Sequence, residues 1–343
     1  MLLLALAARR ASAQEVPLQI AQVIPLSGER AVLGDDWRDG VELAVQEANR
    51  RGGVLGRMIQ TSTFDSGSSV SGRGSVLRAL EGDPAALLGP LSEAGVAMAA
   101  GLARERRMLL ITRGDAAGAP GVVLASPSPA TRMARLVRYM RDELALRRVA
   151  VLTAGAEGPH PVREAFLRAA REAGMAVVAE AAGADSVFLD GPPAECGRAL
   201  AGLRGQVPSV PVLGDAVLVD PATLARAGVA AEGARALVAL SGDAPPLREF
   251  RDRFAMNFKR PPGVAAIEGH IAVGMVQAAC ERLGRVEPRE LADALRGMRV
   301  DAARVPGVLL DTVWSASGEP ERVMFMAQVQ PGGSVSWTEL PAA

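Results

Sequence analysis

Residues 18–24 (LQIAQVI) form an almost unbroken apolar run, the pattern of a central parallel strand covered on both faces. A loop, Pro25-Leu26-Ser27-Gly28, follows, and from about 36 to 49 the period changes. Trp37, Val41, Ala44, Val45 and Ala48 fall on one stripe at helical spacing, and Gly52-Gly53 supplies a left-handed stop. Residues 58–64 read as a second strand and 76–80 as part of a second helix. A short strand at 86–88 runs into Gly89-Pro90-Leu91-Ser92, followed by an alanine-rich helix over 94–104 and a strand over 108–112. The rhythm then restarts, with a strand at 148–153 and a helix over 161–173 that has proline in its first turn. Short strands are predicted at 177–180, 186–189, 210–213 and 235–240, and helices over 247–258 and 264–283. From 308 onward the pattern suggests a β-hairpin region with Ser317-Gly318-Glu319-Pro320 as its turn. Strand, loop and helix alternating in two runs predict two doubly wound α/β units of about 120 residues each, without a low-complexity linker.

Composition narrows what such a chain does. Its 343 residues suffice for a sizeable core and for two or three domains. The 38 basic residues cancel the 38 acidic ones, leaving no surplus to draw nucleic acid or anionic lipid. Aromatic residues make up 3%, with Tyr139 the only tyrosine, so a stacking platform for bases is not expected. No phosphate loop or nucleophile elbow is present, and Gly72-Arg73-Gly74 lacks the strand and third glycine of a dinucleotide fingerprint. The two histidines, His160 and His270, have no second histidine or cysteine at ligand spacing, which argues against a metal site. His270, inside an apolar helix, reads as packed and singly hydrogen-bonded. Asp115 and Asp215 each follow an apolar strand closely. Strand carboxyl ends are where ligands gather in open α/β sheets, although a cap or turn role fits these aspartates equally. Lacking nucleophile, base, metal and cofactor loop, the chain is expected to be a binder, not an enzyme.

The N-terminus points to export. Residues 1–8 (MLLLALAA) are apolar, and Ala11-Ser12-Ala13 before Gln14 is a small-x-small cleavage pattern. The run is too short to span a bilayer, which takes roughly 20 apolar residues. A basic leading region is missing and Arg9-Arg10 interrupts the path to the cleavage site. We therefore read 1–13 as a residual signal peptide whose start lies upstream; a frayed cytosolic terminus is the alternative.

The segment IAQVIPLSG, then Gly34, then RDGVELAVQEANRRGGVLGR resembles the opening of type I periplasmic solute-binding proteins. Within them it is most similar to the branched-chain amino-acid (Leu/Ile/Val) receptor family of ABC transporters. LLGPLSEAGVAMA from Leu87, MLLITRGD from Met108 and FKRPPGVAAIEGHIAVGMVQAACERLG from Phe258 agree, in order. The resemblance implies a Venus flytrap: two parallel-sheet lobes, three crossovers and one small solute enclosed between them. Lobe 1 would comprise 14–125 plus 243–303, and lobe 2 would comprise 126–242 plus 304–343. Cys196 and Cys280 then fall in different lobes as two separate buried thiols. The implied function is that of a periplasmic, monomeric receptor without cofactor, metal, membrane span or nucleic-acid partner, presenting its solute to an ABC permease. A sensor or envelope interaction protein on the same fold is the alternative.

Carried over residue by residue, the family's carboxylate-holding loops match Ser92-Glu93-Ala94 and 112–116, the latter with Thr112 and Asp115. Ser27 lies on the loop after the first strand. Ser92 and the helix start behind it offer an anion seat, but Glu93 and Asp115 would repel a solute carboxylate. The loop that usually brings an aromatic lid reads Glu157-Gly158-Pro159-His160, and Asp215 is the candidate for contacting an ammonium. A helix usual after Glu180 is missing. These departures predict a solute other than a standard branched-chain amino acid, such as an amide, a cation or a more apolar compound.

Overall fold

A computed structural model describes residues 16–67, 72–114, 118–155 and 160–342. The first unit runs β1 (Leu18–Ile24), α1 (Ala31–Arg50), β2 (Ile59–Asp65), α2 (Arg73–Glu81), β3 (Ala86–Leu88), α3 (Glu93–Arg106), β4 (Leu109–Thr112) and β5 (Val122–Leu124). Its five strands are parallel in the order β2-β1-β3-β4-β5. The apolar run of β1 sits inside this sheet, buried along nearly its whole length, because helices cover both faces. The stripe of α1 faces inward at Trp37, Val41, Ala44 and Ala48, and the helix begins five residues before the sequence pattern shows it.

The second unit runs α4 (Pro129–Arg138), β6 (Arg148–Thr153), α5 (Pro161–Glu172), β7 (Ala176–Val178), β8 (Ser186–Asp190), α6 (Pro193–Gln206), β9 (Val212–Asp215), α7 (Pro221–Ala227) and β10 (Arg235–Val238). The chain then returns to the first unit with α8 (Arg248–Phe258), α9 (Val264–Leu283) and α10 (Leu291–Leu295). A small antiparallel sheet follows, of β11 (Arg299–Val300), β12 (Thr312–Trp314) and β13 (Pro320–Glu321). Finally β14 (Met324–Val329) and β15 (Val335–Leu340) add an antiparallel edge to the second sheet, whose order is β15-β14-β10-β9-β8-β6-β7.

Helix α9 is apolar nearly all round and is buried from Ala265 to Cys280, held against α1. The two helices come close because both carry glycine at the crossing. A Cβ on Gly40 would run into the Ala266 carbonyl, and one on Gly269 into the Trp37 carbonyl. The Asp36 carboxylate fixes the start of α9 by accepting N–H bonds from Gly263 (3.1 Å) and Ala266 (2.9 Å) while pairing with Arg260 at 2.7 Å.

Residues 304–321, which the sequence reading groups with lobe 2, pack on the first unit. Val305, Val308, Leu310 and Trp314 join its core, Trp314 Nε1 donates to the Leu124 carbonyl (3.1 Å), and the Leu124 amide donates to Gly318 O (2.9 Å). The turn at 315–319 links β12 to β13, with Gly318 in a left-handed conformation, while the hairpin of the second sheet closes at 330–334. Between β7 and β8 there is one 3-10 turn, Ala181–Gly183, where a helical crossover would stand. Cys196 and Cys280 are free, buried thiols in separate cores; burial pushes them up to about 12 and about 11.

Candidate functional site

The segment after β5 (125–128) enters α4, and the chain leaves β10 through 239–244, so both sheets turn their strand carboxyl ends toward the crossovers and toward each other. The two mouths so formed hold most of the residues singled out from sequence.

On the first mouth, Ser27 is exposed and its hydroxyl and amide are turned to Asp65. The Leu26 and Gly67 amides also bond Asp65 (2.8 and 2.7 Å), and these hydrogen bonds hold its carboxyl below the usual range. Ser92 caps α3, its Oγ accepting the Gly95 amide at 3.2 Å. Thr112 ends β4 fully buried, and its hydroxyl donates to the Pro90 carbonyl at 2.6 Å, tying the β3 and β4 loops together. The Glu93 side chain, Asp115 and the stretch Glu157-Gly158-Pro159 lie outside the described residues, as does the segment 1–15.

On the second mouth, Asp215 ends β9 and pairs with Arg132 of α4 at 2.8 Å; a second arm of Arg132 donates to the Pro127 carbonyl (2.9 Å). His160 stands at the start of α5 with Nδ1 3.6 Å from Asp190, which ends β8. Burial raises the Asp190 pKa, while the nearby His160 works against that rise.

A third polar group lies where the crossovers run side by side. Glu268 of α9, 1% exposed, accepts the Ser126 hydroxyl at 2.5 Å and pairs with Arg113 at 3.3 Å. Arg322 sits fully buried just before β14, donates to the Ala125 carbonyl at 3.1 Å and feels the Glu268 charge. Burial lowers its pKa to about 10, and its Nε and Nη1 find no hydrogen-bond partner among the described residues. Glu319 accepts the Ser128 amide at 2.6 Å.

His270 lies apart from both mouths. Nδ1 faces the Gly307 carbonyl and Nε2 faces Glu47, each at 3.2 Å, so it has two partners instead of the one expected. Burial works to raise the Glu47 pKa, yet His270 and Arg253 together bring it down to about 2. Among the described residues no His, Cys, Asp and Glu are grouped to hold a metal, and no helix is long and apolar enough to cross a membrane.

Asp190, Arg132, Arg113, Glu268 and Arg322 were not picked out from sequence. Asp190 carried the same signal as Asp215, an acid directly ending an apolar strand, in VFLD. The three arginines had none, being 3 among 37.

Comparison with known proteins agrees with this architecture. A search of curated proteins gives no match. Among solved structures, an ABC transporter substrate-binding protein from Sphaerobacter thermophilus superposes with a TM-score of 0.80 at 20% identity, covering 95% of this chain and 98% of its own. A putative branched-chain amino acid ABC transporter protein from Rhodospirillum rubrum gives 0.78 at 22% identity, with 95% and 100% covered. The substrate-binding protein LivJ from Streptococcus pneumoniae, in complex with isoleucine, gives 0.72 at 18% identity, with 95% and 100% covered. The family model for periplasmic binding proteins matches residues 17–182 and 179–334, and with two lobes whose strand ends face one another, the chain belongs to the periplasmic binding protein family.

Proposed function

We propose that this protein is the extracytoplasmic receptor of an ABC importer, a monomer that encloses one small solute between its lobes and releases it unchanged to a permease. The observation that carries the reading is the pair of polar mouths at facing strand ends, connected only by three short crossovers. Such a joint lets a solute bound to one mouth gain partners from the other on closure, so contacts present only in the shut state favour it. Structural relatives are named as ABC transporter components, and one holds isoleucine, an amino-acid solute of the size such a cleft takes. Ser27, Ser92, Glu93, Thr112, Asp115, His160 and Asp215 are the proposed contacts. Ser27, Ser92, Thr112 and Asp215 also hold their loops and neighbouring charges in place. No cofactor enters the reading, and no group is assigned a chemical step.

Native mass spectrometry of gently purified protein is expected to show a retained small molecule, released intact on denaturation. At a hundredfold excess over Kd that solute raises stability by about 2.7 kcal/mol. Recovery of a chemically altered product, or no stabilisation by any solute in a broad panel, overturns the reading.

A further inference from the structure

The first and third crossovers meet at one buried place. Ser128 of the first donates its amide to Glu319, just before β13, at 2.6 Å, and Arg322 of the third donates from Nη2 to the Ala125 carbonyl of the first at 3.1 Å. The Arg322 backbone is tied to the second lobe, because its carbonyl, with those of Leu340 and Pro341, accepts Nη1 of Arg135 on α4 (3.4, 3.3 and 2.7 Å). Glu268 belongs to the first lobe, in the buried run of α9, and reaches the same place through the Ser126 hydroxyl at 2.5 Å. A rotation of one lobe on the other therefore moves Arg322 against Glu268.

The two side chains are incompletely bonded in a complementary way. Arg322 is fully buried, and its Nε and Nη1 have no acceptor among the described residues. Glu268 is also buried, and its Oε2 has no hydrogen-bond donor among them; it faces only the charge of Arg113, whose Nε lies 3.3 Å away. Two buried donors and one buried acceptor thus go unmatched side by side, an arrangement that costs free energy. Arg322 feels the Glu268 charge, yet the ion pair Glu268 makes among the described residues is with Arg113. In a dry interior the attraction between Arg322 and Glu268 grows as they approach. Arg113 stands just after β4 on the first mouth and keeps 32% of its side chain exposed, so water compensates part of its charge when Glu268 turns away.

We propose that Glu268 is the switch of the joint between the lobes: in the hinge position described here its carboxylate faces Arg113, and in a second position it passes to Arg322 and supplies the missing acceptor. One charge shared between two arginines then sets the balance of the two lobe positions. The proposal rests on the receptor reading, which needs lobes that move, and adds what biases their motion. Because Arg113 stands on the first mouth, a change in its surroundings there alters the hold on Glu268 and with it the lobe position, and the coupling runs equally in reverse.

The test reads the distance between lobes in the whole chain without added solute. Spin labels go on Val32→Cys and Glu164→Cys, both exposed in the first turns of α1 and α5. Cys196 and Cys280 stay unlabelled, being buried thiols whose pKa values burial raises. Pulsed electron paramagnetic resonance is expected to give two interlobe distances, one of them that of this structure. Arg322→Met raises the share of that distance by about threefold or more and Arg113→Met lowers it by a similar factor, opposite shifts that lost packing alone does not produce. Glu268→Gln, which can still accept from Ser126, removes the response to Arg113→Met. Should Arg322→Met not fold, Arg322→Lys, which lacks the Nε donor, gives a smaller shift in the same direction. Shares unchanged in the variants, or shifted in one direction by both, mean that buried water meets the unmatched groups; either result overturns the switch and leaves the receptor reading standing. A single distance in every variant, together with no retained solute in native mass spectrometry, overturns both.

Discussion

Where a buried or half-buried charged side chain has a charged partner, that partner decides how it responds to pH. Glu47 is the clearest case, its pKa held at about 2 against an ordinary 4.5 by His270 and Arg253 despite the opposing effect of burial. A depressed carboxyl contributes stability that is complete above pH 4.5 and is lost as pH falls through about 2. After discounting for solvent screening the contribution is about 1–2 kcal/mol. Urea unfolding followed from pH 6 to 2.5 should show this loss in the wild type, and Glu47→Gln should flatten that part of the profile while lowering stability at neutral pH. An unchanged profile would assign the acid sensitivity elsewhere. Much of this residue chemistry was only half legible in the chain. Asp215 stood out because it ends an apolar strand; Asp190 meets the same criterion, but its place level with Asp215 and beside His160 follows from strand register. Thr112 was found by its motif, whereas the direction of its hydroxyl depends on the Pro90 carbonyl, 22 residues distant.

Elements defined by a strong local pattern match their sequence outlines. β1, β3, β6 and α9 have the predicted limits, since unbroken apolar runs and glycine or proline stops leave little freedom. α4 and α6 escaped notice. In α4 the inward Met133, Leu136 and Val137 are interleaved with three arginines, and α6 is rich in alanine and glycine, which mark neither face strongly. Their inward faces are set by the sheet they cover. Packing between helices is also where single atoms count. Gly40→Ala pushes a methyl group onto the Ala266 backbone at the α1–α9 crossing and is expected to cost about 1–3 kcal/mol, or more if α9 cannot shift. The melting temperature should fall by about 2–4 °C for each kcal/mol. A variant as stable as the wild type would mean the crossing yields easily.

At the scale of the whole molecule, the crossovers concentrate buried charge. Glu268 touches Ser126 on the first crossover, Arg113 beside the β4 loop and the field of Arg322 on the third, so it connects one mouth to the joint between lobes. Removing one member of a buried charged set leaves the others desolvated and uncompensated. Glu268→Ala is therefore expected to destabilise by about 3 kcal/mol, and Arg322→Met in the same chain to restore a good part of it, a coupling of about 1 kcal/mol or more in a double-mutant cycle. Additive effects would show that the two groups do not sense each other. The sequence alone determined that there are two α/β lobes, because alternating strand and helix periods that restart midway are a local property of the chain. It also determined the family, through motifs carried in order. Only the tertiary structure decided that Val305, Val308, Leu310 and Trp314 pack into the core of the first unit, and that Asp215 pairs with Arg132 while Asp190 faces His160. Those outcomes depend on strand register and on side chains far apart in the chain, and no local pattern encodes a distance in space.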